Sequence, residues 1–180
     1  MRALTVIFKT VRQLSVAVLF FYSGALCAAE GEDQVFLPVE SFLQENFASI
    51  PDAKMLWLDA DARTTAKDIS GEDPGFRRRY WRDGDVTAWV LDVIGRDHPI
   101  TVGIIVGADG ISRMRVLVYR ESRGWEVRHD FFTRQFNGVQ LENKKLDSTI
   151  DGITGATLSV NALQRAARLA LWLHQRAIAE

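Results

Sequence analysis

The 180-residue sequence is poor in cysteine, histidine and proline, with one, three and four residues respectively. A single cysteine excludes an internal disulfide and any zinc site built on several thiolates. The three histidines, His98, His129 and His174, show no metal-ligand spacing among themselves. Charge of one sign is also lacking: 22 Lys+Arg stand against 23 Asp+Glu, a formal net charge of −1. That balance argues against a nucleic-acid binder, because neutralising phosphates needs clustered cations. The familiar catalytic signatures are missing too, with no GxSxG elbow, GxGxxG turn, phosphate loop or HExxH pair. Asp59 and Asp61 resemble the start of a calcium loop, but its glycine and terminal glutamate are absent. The sequence therefore points to no catalytic residue and no metal ligand. What is present is 47% hydrophobic residues, including ten Phe and five Trp, enough for one domain with a real core.

The balanced charge hides an asymmetry. Residues 1–29 carry Arg2, Lys9 and Arg12 and no acid, and residues 14–26 are uncharged throughout. A basic start, a short apolar run and the small-residue exit Cys27-Ala28-Ala29 are the parts of a secretory signal peptide. The run is shorter than the roughly 20 apolar residues of a spanning helix. Cleavage after Ala29 is the expectation, with retention as an N-terminal membrane anchor as the alternative. Lipid attachment at Cys27 is disfavoured by Leu26, which is bulky where a small residue is wanted. Without residues 1–29 the chain holds 19 basic and 23 acidic residues, a net −4, and no cysteine.

Residues 30–180 read as a single domain. Pro38 followed by apolar residues at 39, 42, 43 and 47 predicts a helix ending before Pro51. Residues 55–58 suggest a short strand, and the polar stretch 59–79 reads as loop with at most one helical turn. The segments 86–94, 100–106 and 111–120 are rich in β-branched residues and predict an antiparallel meander, with Asp109-Gly110 as the hairpin turn. In the middle strand Ile100, Val102, Ile104 and Val106 share a core face. Thr101, Gly103, Ile105 and Gly107 share a face of low relief that suits a closely packed helix, with a flat ligand as the alternative. Residues 131–136 read as a short helix or aromatic turn, and a long helix runs from about Val160 to Ile178, with His174 on its apolar stripe. The fold class is α+β: an antiparallel sheet flanked by helices, with a long C-terminal helix.

One motif remains: Asp151-x-x-Thr154-Gly155-Ala156-Thr157, just before that helix. Read from the residues alone, it is a polar turn feeding a helix, with Thr157 or Ser159 as N-cap. That reading leaves the joint occurrence of Asp, Thr, Gly, Ala and Thr unexplained. The motif resembles the flavinylation site of the FMN-binding domain family, which includes the G subunit of Rnf electron-transport complexes and the C subunit of sodium-pumping NADH:quinone oxidoreductase. The Asp-Gly hairpin, the Glu121-Ser122-Arg123-Gly124 loop and the Phe132…Gln135-Phe136-Asn137-Gly138 stretch extend the similarity over residues 86–175. The loop departs from the family's Glu-Thr-Pro-Gly by having Arg123 in place of proline.

The resemblance implies FMN joined by a phosphoester to Thr157, with Thr154, Gly155 and Ala156 as the fitted approach. It implies Asp151 as a recognition residue for an FAD:protein FMN transferase, itself using magnesium. Ser159, Glu121, Gly124 and Trp125 complete the implied cofactor-binding set. Trp125, Phe131, Phe132 and Phe136 are candidate neighbours of a flavin ring, and Arg120, Arg123 and Arg128 candidate partners of its negative charge. The implied protein is not an enzyme but a periplasmic electron carrier between membrane or periplasmic donor and acceptor proteins. A periplasmic binding or assembly module of the same fold without flavin is the alternative, and a flavin-dependent reductase with its own substrate pocket ranks last.

Overall fold

The computed structural model describes residues 33–180. The leader expected over residues 1–29 lies outside the described residues.

The three segments richest in β-branched residues form the centre of the sheet: β4 (Val86–Ile94), β5 (Pro99–Gly107) and β6 (Gly110–Tyr119). They pair antiparallel, Ile104 facing Trp89 on one side and Met114 on the other. The expected meander is thus present, and the sheet extends beyond it. β3 (Arg77–Asp83) pairs with β4, β2 (Ala53–Trp57) pairs with β3, and the short β1 (Gln34–Val35) lines the far edge of β6. The order is β1-β6-β5-β4-β3-β2, antiparallel throughout. Residues 30–85, which the resemblance did not reach, supply three of its six strands.

The two faces of β5 are covered as its alternation predicts. Ile100, Val102, Ile104 and Val106 are buried with α4 (Thr157–Ala179), whose Val160, Leu163, Ala166, Ala167, Ala170 and Leu173 lie in the same core. On the other face Gly103 meets α1 (Val39–Asn46). A Cβ at Gly103 would stand 2.7 Å from the Phe42 ring, so the missing side chain is what lets the helix approach. Phe42, Leu43 and Phe47 close a second, smaller core with Ala88, Ile105 and Leu117. The architecture is α+β, a six-stranded antiparallel sheet with helices on both faces.

Residues 59–79 depart from the expected loop. They contain α2 (Ala60–Ser70) and the start of β3. Asp59, which had suggested half a calcium loop, caps the helix: its Oδ1 accepts the Ala62 N–H at 2.7 Å. Gly71 ends it in the left-handed conformation with φ 78°. The buried stripe is Ala62, Ala66, Ile69 and Ser70, in which Ile69 alone is large and apolar, so the helical spacing leaves little apolar signal. After β6 come a 3-10 turn (Trp125–Arg128), α3 (Asp130–Thr133) and a second 3-10 turn (Arg134–Phe136), the compact aromatic segment expected there. A hairpin of β7 (Leu141–Glu142) and β8 (Lys145–Leu146) then leads to the motif. Among the described residues no helix is long and apolar enough to cross a membrane, and no cluster of three potential metal ligands occurs.

Candidate functional site

α4 begins three residues earlier than the expected Val160. Thr157 is its first residue, and the N-cap is Ala156, which has no side chain to bond the first turn. Neither Thr157 nor Ser159 acts as the cap. The reason lies in the preceding turn, where the Ala156 N–H returns to the Ile153 carbonyl at 2.9 Å and Gly155 takes φ 85°. A positive φ at that position is what glycine supplies, and nothing lies within 4 Å of where a Cβ would be, so conformation rather than space selects it. The turn aims the chain so that Thr157 enters the helix exposed while Ala156 packs inward at 3% exposure. First-turn N–H groups without a side-chain acceptor, at the positive end of a 23-residue helix, favour an anion.

The loop after β6 sits against this turn. Tyr119 donates its O–H to the Arg123 carbonyl at 2.5 Å, so the Ser159 hydroxyl, 2.9 Å away, donates to Tyr119. Gly124 has φ 84°, and a Cβ there would fall 2.7 Å from Ser159 Oγ and 3.1 Å from the Tyr119 hydroxyl. Gly124 is therefore required by both conformation and space. Burial raises the Tyr119 pKa, which keeps the phenol protonated and able to donate.

Glu121 is 9% exposed and reaches back across the sheet end. Its Oε1 accepts three backbone N–H groups, from Arg96 at 2.5 Å, Asp97 at 2.7 Å and His98 at 2.9 Å. Burial alone would raise its pKa, but the three N–H donors and the nearby His98 outweigh it and leave the carboxyl below its ordinary value. Glu121 is ionised at neutral pH and holds the β4–β5 connection in place.

Between these pieces lies a cleft of about 200 Å³ lined by Arg96, Glu121, Ser122, Arg123 and the 155–159 turn. Thr157, Arg96 and Arg123 line this one cleft together, with the Glu121 charge already bound to N–H donors. Larger hollows exist, about 670 Å³ beside the β7–β8 hairpin and about 390 Å³ on the outer face of β2 and β3, but neither is lined by any residue of the motif.

Of the residues singled out from sequence, Thr157, Ala156, Gly155, Ser159 and Glu121 line one cleft. Gly124 buttresses it from beneath through Ser159. Thr154 and Asp151 are exposed on the approach to Thr157, and the Asp151 N–H is held by Gln135 Oε1 at 2.8 Å. Trp125, 43% exposed, lies outside the lining and packs edge-on to His129 with Arg128 over its ring. Phe132 and Phe136 are fully buried, so of the aromatic candidates only Trp125 and Phe131 face outward. Arg120 is engaged with Asp33 at 2.7 Å, Arg128 stacks on Phe36, and of the three candidate arginines only Arg123 lines the cleft. Sequence reasoning missed Arg96, Tyr119 and Gln135. Arg96 sits in a connection that carries no motif, and Tyr119 looked like an ordinary strand end. Gln135 lay inside the quoted aromatic stretch, where a side chain able to hold the motif backbone was the available signal.

The chain matches no curated protein and no solved structure. Residues 95–172 match the family model of the FMN-binding domain, a span that begins at the Arg96 connection, takes in the Glu121 loop and the cleft, and ends within α4. Over that segment the chain is similar to the FMN-binding domain family.

Proposed function

We propose that this protein carries FMN covalently, as a phosphoester on Thr157, and works outside the cytoplasm as an electron carrier between membrane or periplasmic redox proteins. The observation that carries the reading is the placement of Thr157: an exposed hydroxyl at the first position of α4, on a helix end without a side-chain cap, in a cleft also lined by two arginines. A phosphoester there keeps one negative charge, which the free N–H groups and the arginines suit. Ala156 and Gly155 add no bulk beside the hydroxyl, so the chain can enter a transferase site. Asp151 and Thr154, both exposed, are what the transferase would read first.

FMN supplies the one- and two-electron chemistry, and the protein supplies its position and charge environment. Covalent attachment suits an exported carrier, because a flavin held only by this open cleft would be lost to dilution. Export rests on the leader-like composition of residues 1–29. The test is fluorescence on a denaturing gel after co-expression with an exported FAD:protein FMN transferase. The wild-type band should fluoresce and the Thr157→Ala band should not, with both proteins folded. A dark wild-type band would favour the flavin-free binding or assembly module.

A further inference from the structure

The cleft brings together residues that are far apart in the sequence. Arg96 lies in the β4–β5 connection, 25 positions before Glu121, yet both line the same small space beside Thr157. The connection is anchored almost entirely through Glu121. One carboxylate oxygen gathers the successive N–H groups of Arg96, Asp97 and His98, and the Gly95 N–H closes the turn on the His98 carbonyl at 3.1 Å. Gly95 has to be glycine-small, since a Cβ there would lie 2.7 Å from Glu121 Oε1. The Arg96 backbone is thereby fixed, while its side chain is 68% exposed and makes one ion pair, with Asp97 at 3.3 Å. An exposed pair of neighbouring residues is weak and easily exchanged for a better acceptor.

We propose that Arg96, set in place by Glu121, is the cation that meets the phosphate carried on Thr157. The inference rests on the flavin reading above and adds to it two residues with different duties. Arg96 contacts the phosphate. Glu121, whose Oε1 is occupied by backbone N–H groups, is a positioning residue acting through Arg96. Its charge, balanced by three N–H dipoles, does not repel the phosphate as a bare carboxylate would. Arg123, which lines the same cleft, can reinforce the contact, but its backbone is held by Tyr119 rather than by Glu121.

The experiment measures three quantities on the full chain co-expressed with an exported flavin transferase: the initial loading rate, the fluorescence anisotropy of the tethered flavin, and amide exchange at residues 96–98. Arg96→Ala should load more slowly, by roughly three- to tenfold at low salt for a solvent-screened charge contact, and the tethered flavin should have lower anisotropy. Arg96→Lys should restore most of both. Added salt should shrink the difference between wild type and Arg96→Ala. Glu121→Gln should speed amide exchange at 96–98 and reproduce the Arg96→Ala flavin phenotype.

Loading and anisotropy unchanged in Arg96→Ala, with wild type loaded, would overturn the proposal while leaving Thr157 attachment intact. Faster exchange in Glu121→Gln with an unaltered flavin would remove Glu121 from it. Absence of flavin from wild type would instead sink the attachment reading, and this proposal with it.

Discussion

Single residues carry most of the argument at the site, and their effects are separable. Gly124 is required twice over, by φ 84° and by the 2.7 Å approach to Ser159 Oγ. Gly124→Ala should therefore destabilise the protein by about 2 kcal/mol, read as a lower urea midpoint, because a non-glycine residue in that conformation is strained and also displaces the Tyr119–Ser159 bond. An unchanged midpoint would mean that the loop can move away without cost. His174 makes the second residue-scale prediction. It is 5% exposed on α4, its Nδ1 is 2.8 Å from Thr87 Oγ1, and that hydroxyl accepts the Trp89 indole N–H at 2.9 Å. Burial lowers its pKa and Arg82 lowers it further, against a smaller opposing pull from Asp85. The folded state thus keeps the ring neutral where the unfolded chain would protonate it. Stability should be full well above the unfolded value and fall as pH drops through about 6.5, the ordinary histidine range. Urea midpoints at about pH 7.5 and about pH 5.5 check the sign, and His174→Leu should flatten the slope between them.

Among the elements, α1 makes its tightest approach to the sheet through one ring. Phe42 is fully buried against the backbone at Gly103, so Gly103→Ala should push the helix off its seat and cost about 1–3 kcal/mol. Hydrogen exchange should show the loss concentrated in residues 39–46, with α4 still protected; uniform loss over the sheet would contradict it. The Gly103 face shows what was legible in the sequence: alternation in β5 announced both a core face and a close helix, and both are there. The meander and the long final helix were equally plain, because β-branched runs and 3.6-residue spacing leave strong patterns. α2 was not legible, since Ile69 is the one large apolar residue of its buried stripe and its N-cap, Asp59, sits in a polar stretch. β3 was hidden by four arginines in seven residues, with Tyr80 its one fully inward ring, stacked on Trp89 at 4.9 Å. The motif from Asp151 to Thr157 stood out because its residue types are unusual together. The wall facing it did not, because Glu121 acts on backbone N–H groups 23 to 25 residues away and backbone groups leave no mark in sequence.

For the whole molecule, what matters is how the charge is divided and where the flavin is added. The net −1 is the sum of +3 over residues 1–29 and −4 over the remainder. If residues 1–29 direct export and the transferase works outside the cytoplasm, deleting residues 2–29 should yield folded protein without flavin even when the transferase is co-expressed. Flavin on that variant would contradict the exported location. With no cysteine after residue 27, the remainder has no thiol chemistry of its own, so an electron-carrying role depends on the attached group. The central claim is that this group sits on one hydroxyl at the head of α4. Peptide mass mapping of wild-type protein matured with an exported flavin transferase tests it most directly. The account predicts that the peptide containing Thr157 gains one FMN less one water, and that Thr157→Ala shows no such gain anywhere. FMN found on another residue, or on none, would contradict it.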